Sequence, residues 1–257
     1  GSFGSVFKCN WNGDPVAVKF LHGSADPEAK VAFNEELAIL LELRSPRIIQ
    51  TFGGCLDALG KQGLLIVMEF APRGSLYDQL RQNPPLDMQS RLRLASEMAA
   101  GVLYLHSNSV MHRDLKSLNV LIDAQGGAKL CDFGLAKVKK HSKSTTTASG
   151  QGSPLWMAPE LFGRRAKFIP AADIYALGMT LVELATSQLP FQESLDKQMH
   201  PMVLMKSLLE KKQRPSLPAS TPPGFQAIIE SAWAQDPASR PTAGECLQRL
   251  TLLRDGM

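Results

Sequence analysis

Residues His112-Arg113-Asp114-Leu115-Lys116-Ser117-Leu118-Asn119 put an acid, a lysine and an amide into eight positions, and Asp132-Phe133-Gly134 follows thirteen residues after Asn119. The two segments constrain the fold because they serve one chemistry only if the chain brings them together. Between them they offer an acid able to take a proton from a hydroxyl and a cation able to follow a migrating anion. They also offer two side-chain oxygens of the hard type that hold magnesium.

Composition narrows what else the chain can be. With 257 residues, 44% of them hydrophobic and 20% charged, it can bury a full core and sits at the upper edge of one large domain or two small ones. The net charge of +4 is small for this size, and no basic stripe is interleaved with aromatics, so nucleic acid is not an expected partner. Cys9, Cys55, Cys131 and Cys246 lie far apart with no Cys-x-x-Cys pair, which argues against a zinc site or a disulfide framework and for a reducing, cytoplasmic setting. No apolar run reaches the roughly eighteen residues of a membrane span, since even the stretch 174–185 contains Glu183. No signal peptide is evident. Gly1-Ser2-Phe3-Gly4 begins without Met and inside a motif, so the chain reads as a fragment of a longer protein.

The first 70 residues read as strand-rich. Val6-Phe7-Lys8 and Val16 to Phe20 are β-branched and aromatic runs joined by the turn residues Asn12-Gly13-Asp14-Pro15. Asp26 is an N-cap candidate with Pro27 at the first helical position, and Val31, Leu37, Leu40, Leu41 and Leu43 recur at helical spacing until Ser45-Pro46. Residues 48–52 and 64–69 are further strand candidates, and Ala71-Pro72-Arg73-Gly74 breaks the chain. Beyond it helical periods dominate: 88–107 with Asp87 as N-cap, 172–186, 201–211, 224–234 and 242–253. The polar run 141–153 is expected to be a mobile surface loop.

Transfer of a γ-phosphoryl group asks a protein to position phosphates and neutralise charge rather than to make bonds. In Gly1-x-Phe3-Gly4-x-Val6, absent side chains would let backbone N–H groups approach phosphates. Val16-Ala17-Val18-Lys19 ends an apolar strand with an ammonium that would hold α- and β-phosphates if a carboxylate oriented it, and the next helix carries Glu35 and Glu36. Asp114 would accept or orient a hydroxyl proton, and Lys116 would reach the transferring phosphate. Asn119 and Asp132 would bind Mg²⁺. Each feature alone has a commoner explanation, such as a hairpin turn, a strand-edge lysine or a turn-forming aspartate. Five in this order do not.

Taken together, these motifs resemble a eukaryotic-type protein kinase domain. Ala158-Pro159-Glu160 resembles the end of an activation segment. Asp173 resembles the helix aspartate that braces the catalytic loop, and Arg240, in Asp236-Pro237-x-x-Arg240-Pro241, the arginine that pairs with Glu160. The resemblance covers nearly the whole chain and implies an α+β, two-lobed kinase fold. Residues 1–70 would form a small antiparallel β-sheet lobe with one helix and a truncated first strand, and 71–257 a larger, mostly helical lobe. It implies ATP and Mg²⁺ as cofactors and proteins as substrates. Counting back from Pro46 selects Glu36 over Glu35 as the partner of Lys19. Gly1 and Gly4 would cover the phosphates, Val6 and Ala17 would roof the adenine and Leu121 would floor it. Met68 would be the gatekeeper, and the hinge Glu69 to Ala71 would bond the base through its backbone. Leu40, Phe133 and His112 would stack as an apolar spine, which makes His112 a packing residue.

Lys116 and Gly152-Ser153-Pro154 resemble the serine/threonine rather than the tyrosine pattern. Trp156 to Glu160 and Trp233 resemble the tyrosine-kinase-like group, of mixed-lineage or Raf-like type. Hydroxyls at Ser142, Ser144 and especially Thr145, Thr146, Thr147 and Ser149 are expected phosphorylation sites for an upstream kinase or the chain itself, with Arg113 as the phosphate's partner. The alternative is a scaffold of the same fold that transfers nothing. The joint presence of Lys19, Asp114, Asn119 and Asp132 argues against it.

Overall fold

The residues described by the computed structural model are 4–21, 27–56, 63–133, 154–162, 167–197 and 201–257. Asn12 and Gly13 both adopt positive φ (52° and 97°), the backbone of a two-residue turn that matches strand twist, and so join β1 (Gly4–Trp11) to β2 (Asp14–Leu21). The turn is thus shorter than 12–15, and Pro15 lies inside β2. It precedes the stretch from Val16 that also pairs with β4 (Leu64–Glu69), so a residue without an N–H is tolerated there. With β3 (Thr51–Cys55) these strands form an antiparallel sheet in the order β1-β2-β4-β3.

The strand expected at 48–52 is displaced to Thr51–Cys55. Ile48 instead bridges Leu130 and the Ile49 N–H donates to the Leu130 carbonyl at 2.9 Å, so this apolar pair stitches the sheet lobe to the helical lobe. α1 (Pro27–Glu42) covers the sheet through Ala29, Ala32, Phe33, Glu36 and Leu40. Val31, expected on the apolar face, points to solvent, because the small alanines let the helix sit close. Asp26 lies outside the described residues.

The second lobe contains α2 (Leu76–Gln79), α3 (Met88–Ser107), α4 (Pro170–Thr186), α5 (Gln192–Asp196), α6 (Pro201–Glu210), α7 (Pro223–Ala232) and α8 (Ala243–Asp255). The expected cap of α3 is present: Asp87 accepts the Ser90 N–H at 2.7 Å. α4 is buried from Ala172 to Leu184, as expected for a helix apolar on every side, with α3 and α7 packed on it. Two three-residue strands, β5 (Val120–Ile122) and β6 (Ala128–Leu130), form a hairpin that the sequence pattern did not reveal. Among the described residues no helix is long and apolar enough to cross a membrane. All four cysteines are free.

Candidate active site

The loop between α3 and β5 is fixed from below by one carboxylate. Asp173, in the first turn of α4 and fully buried, accepts the backbone N–H groups of His112 (2.8 Å) and Arg113 (2.9 Å) and contacts His106 Nε2 at 2.9 Å. These bonds hold Arg113 at φ 67°, a left-handed conformation that costs a non-glycine residue about 1–2 kcal/mol. The sharp turn sets the direction of the next side chain, Asp114. Asp114 is thereby clustered with Lys116, whose Nζ lies 3.3 Å from both carboxylate oxygens, and with Asn119, whose Nδ2 donates to the Asp114 carbonyl (2.6 Å) and to Oδ2 (3.2 Å). Asn119 sits in a single 3₁₀ turn, Ser117–Asn119.

The β5–β6 hairpin carries the second motif to the first. Its last link is the Cys131 N–H donating to the Asn119 carbonyl at 3.0 Å, which sets Asp132 beside Asn119. Asp132 is also left-handed (φ 61°), and the turn sends Phe133 back into the core against the buried His112 ring, edge to face at 5.9 Å. Leu40 and Phe133 line one cavity with Met68 and Cys131. His112 packs, as expected.

The sheet supplies the opposite wall. Register places Ala17 opposite Met68 and Val6 opposite Lys19, so these four side chains share the face turned to the loop. Lys19 Nζ bonds Asp132 Oδ2 at 2.5 Å and is buried, which joins the two walls. Glu36 is buried at 5% exposure and Glu35 is exposed, so α1 turns Glu36 toward the protein interior. A Cβ on Gly4 would lie 2.2 Å from the Phe20 carbonyl oxygen, so only glycine fits that approach. Met68 and Leu121 pack on Ala71, Ile49 and Cys131, while Val6 stays 58% exposed above them. The Glu69 N–H is taken by the Gln50 carbonyl (2.8 Å) and its carboxylate by Lys129 (2.6 Å). Gly1, Gly134, Gly152, Ser153 and the hydroxyls Ser142, Ser144, Thr145, Thr146, Thr147 and Ser149 lie outside the described residues.

The donor set suits magnesium. Asn119 directs its amide nitrogen at Asp114, which leaves its carbonyl oxygen as the outward ligand, and Asp132 adds a carboxylate close by. No group of three or more His, Cys, Asp or Glu that could hold a metal occurs among the described residues. Two hard oxygen donors suit a cation that completes its shell with phosphate oxygens and water, the habit of Mg²⁺.

A third wall adjoins Asp114. Trp156, Met157, Leu161 and Phe168 line a cavity with Arg113 and Asp114. Glu160 and Arg240 behind it form the expected bidentate pair at 2.7 and 2.8 Å, and Arg240 also donates to the Ala171 carbonyl. Sequence reasoning missed one member of this wall. Glu183, on α4, accepts the Ser117 hydroxyl, the Ser117 N–H (3.2 Å) and the Trp156 indole N–H (2.8 Å). Burial pushes its carboxyl up to about 7, against the pull of those hydrogen bonds. The signal was a lone acid in an apolar helical run, which the sequence reading used only to exclude a membrane span.

Comparison with known proteins shows the family. The family described as the protein kinase domain matches residues 1–250. The chain is 37% identical over 248 residues to the serine/threonine-protein kinase CTR1 of Arabidopsis thaliana, covering 94% of this chain and 29% of that protein. It is 33% identical over 255 residues to the serine/threonine-protein kinase STY17 of the same plant, covering 98% and 43%. To the dual specificity protein kinase shkA of Dictyostelium discoideum it is 35% identical over 248 residues, covering 94% and 45%. The chain thus spans less than half the length of these curated relatives.

Proposed function

The chain belongs to the protein kinase domain family, and we propose that it transfers the γ-phosphoryl group of ATP to serine and threonine hydroxyls of protein substrates. The observation that carries this reading is the meeting of Lys19, Asp132, Asn119 and Asp114 across the two lobes, joined by the 2.5 Å Lys19–Asp132 bond. In this reading Asp114 orients the acceptor hydroxyl and takes its proton, and Lys116 neutralises the phosphoryl oxygens during transfer. Lys19, oriented by Glu36, holds the α- and β-phosphates. Asn119 and Asp132 hold Mg²⁺, which when bound offsets charge on the phosphates. Gly1 and Gly4 cover the phosphates. Val6, Ala17, Leu121, Met68, Glu69 and Ala71 enclose adenine, and in support the Ala71 N–H has no hydrogen-bond partner among the described residues.

Serine/threonine preference is supported by Lys116 and by the names of two of the relatives above, while a third carries a dual-specificity name. We also propose regulation through phosphorylation of Thr145, Thr146, Thr147 or Ser149 by an upstream kinase or by the chain itself. Arg113 supports this: it adjoins Asp114, and its guanidinium lies 5.9 Å from the Phe168 ring, at the edge of the same cavity. A reducing, cytoplasmic setting accompanies the reading and suits four free thiols. Phosphate transfer from labelled ATP to a generic protein substrate, followed by phosphoamino-acid analysis, tests the proposal. Phosphoserine and phosphothreonine are expected. ATP binding without transfer would favour the scaffold instead.

A further inference from the structure

We propose that Arg47, Arg73 and Arg93 form a binding site for a phosphate monoester, carried as phosphoserine or phosphothreonine on a polypeptide segment, at the turn of the β5–β6 hairpin. The site does not depend on phosphoryl transfer, since a scaffold of this fold would carry it equally. β5 starts beside Asn119 and β6 ends beside Cys131, so the turn 123–127 is the hairpin's far end. Strands of this length, at 3.3 Å per residue, set it about 10 Å from the catalytic side. A ligand there leaves the cleft open.

Three segments bring the arginines together. Arg47 stands between α1 and β3, Arg73 between β4 and α2, and Arg93 on α3. A Cβ added to Gly126 would lie 3.2 Å from Arg73 Nη1 and 3.6 Å from Arg93 Nη2, and one on Gly127 would lie 3.1 Å from Arg47 Nη1. Guanidinium groups therefore line the space that two adjacent glycines leave open. The acid they surround is Glu97, 10% exposed, whose Oε1 lies 3.1 Å from Arg47 and 3.4 Å from Arg93 while its Oε2 accepts the Ala128 N–H at 2.7 Å. One carboxylate balances one guanidinium, and here two share a single oxygen. The Arg73 guanidinium has no hydrogen bond or ion pair among the described residues. Asp123, the other acid at the turn, is engaged by backbone: its Oδ1 accepts the N–H groups of Gln125 (3.0 Å) and Gly127 (2.7 Å). Lys129 is paired with Glu69. A purely structural role accounts for Arg47 and in part for Arg93, and leaves Arg73 unexplained.

Forked donors arriving from separate segments match a phosphate monoester, which presents three acceptor oxygens and about two negative charges at neutral pH. Arg47 is 32% exposed and Arg93 39%, and Arg73 is exposed, so the donors stand on the surface. An anion met there is best presented by a longer molecule that lies along the surface. If the chain transfers phosphate as proposed above, its products carry this same group. A segment phosphorylated once would then be held at the turn while a second hydroxyl enters the cleft.

Fluorescence anisotropy without ATP tests the site. A fluorescein-labelled, sequence-degenerate peptide with one fixed central phosphoserine is titrated with the protein, beside the unphosphorylated peptide and with inorganic phosphate as competitor. The phosphopeptide should bind on the order of 10-fold more tightly than its unphosphorylated form. Arg73→Ala and Arg93→Ala should each weaken it on the order of 10-fold, and Arg73→Lys by less, because lysine keeps the charge and loses the fork. Arg73→Ala removes no described side-chain bond, so the variant should fold with its thermal midpoint unchanged. Equal binding of the two peptides would overturn the inference, as would loss of binding in Arg113→Ala with Arg73→Ala unaffected, which would move the phosphate to the catalytic loop. Inorganic phosphate competing as strongly as unlabelled phosphopeptide would overturn the assignment to a polypeptide. Failure of phosphate transfer from ATP would sink the kinase reading and leave this binding result standing.

Discussion

Below the cleft, Asp114 and Asn119 stand on a loop whose backbone and side chains are bonded to two buried acids of α4, Asp173 and Glu183. Above it, Lys19 stands on β2, whose site face is set by register alone, and on the far side of the same sheet Phe7 and Trp11 of the neighbouring β1 are more than half exposed. The lower wall is built from polar groups that could not be buried without partners, so its geometry and the stability of the lobe are one problem. On the upper wall position follows from alternation, and the Lys19–Asp132 bond brings it to the chemistry. Changes to the lower anchors should therefore cost stability and rate together. Those on the upper wall should cost rate alone.

The largest effect is expected where neither wall is disturbed. Asp114→Asn should lower kcat on the order of 10³-fold, the scale of a positioned acid–base group, with a thermal midpoint within about 3 °C of wild type. A large fall in the midpoint would make Asp114 an anchor rather than a reacting group. Lys19→Met and Asp173→Asn set the walls against each other. The first should lower kcat/KM about 100-fold with little change in unfolding free energy. The second leaves backbone donors facing an amide and should lose about 3 kcal/mol in denaturant unfolding along with its activity. Equal stability losses in the two would break the comparison.

Glu183 gives a finer test of the lower wall. Its carboxyl ionises at about 7 in the fold against an ordinary 4.5, so the folded chain holds an extra proton between those values. The stability it contributes is fully present below pH 4.5 and is lost as pH rises to about 7, on the order of 3 kcal/mol in total. Glu183→Gln should flatten that part of the stability–pH curve. Smallest of all, Thr242→Ala removes the reciprocal cap of α8, far from both walls, and should cost about 1 kcal/mol with kcat unchanged.

Legibility followed the same division. Asn12-Gly13, the Asp87 cap and the long periods of α3 and α4 were readable because local chemistry decides them. The spacing of Asp114, Lys116 and Asn119 was readable because one short loop holds all three. What the sequence hid depends on distant partners. Ile48 and Ile49 look like a strand of the sheet until Leu130 claims them across the lobes. Val31 looks like core until the alanines at 29 and 32 are seen to carry the contact. The hairpin of β5 and β6 has too few residues for any period, and a carboxylate in an apolar helix gives no hint that Ser117 and Trp156 will find it.

The most direct trial of the account follows ³²P from γ-labelled ATP with Mg²⁺ into a protein substrate, comparing wild type with Asp114→Asn of equal thermal midpoint. Phosphoserine and phosphothreonine from wild type, and incorporation lower on the order of 10³-fold from the variant, are the predicted result. Equal incorporation by the two proteins, or none from a wild type that still binds ATP, would contradict it.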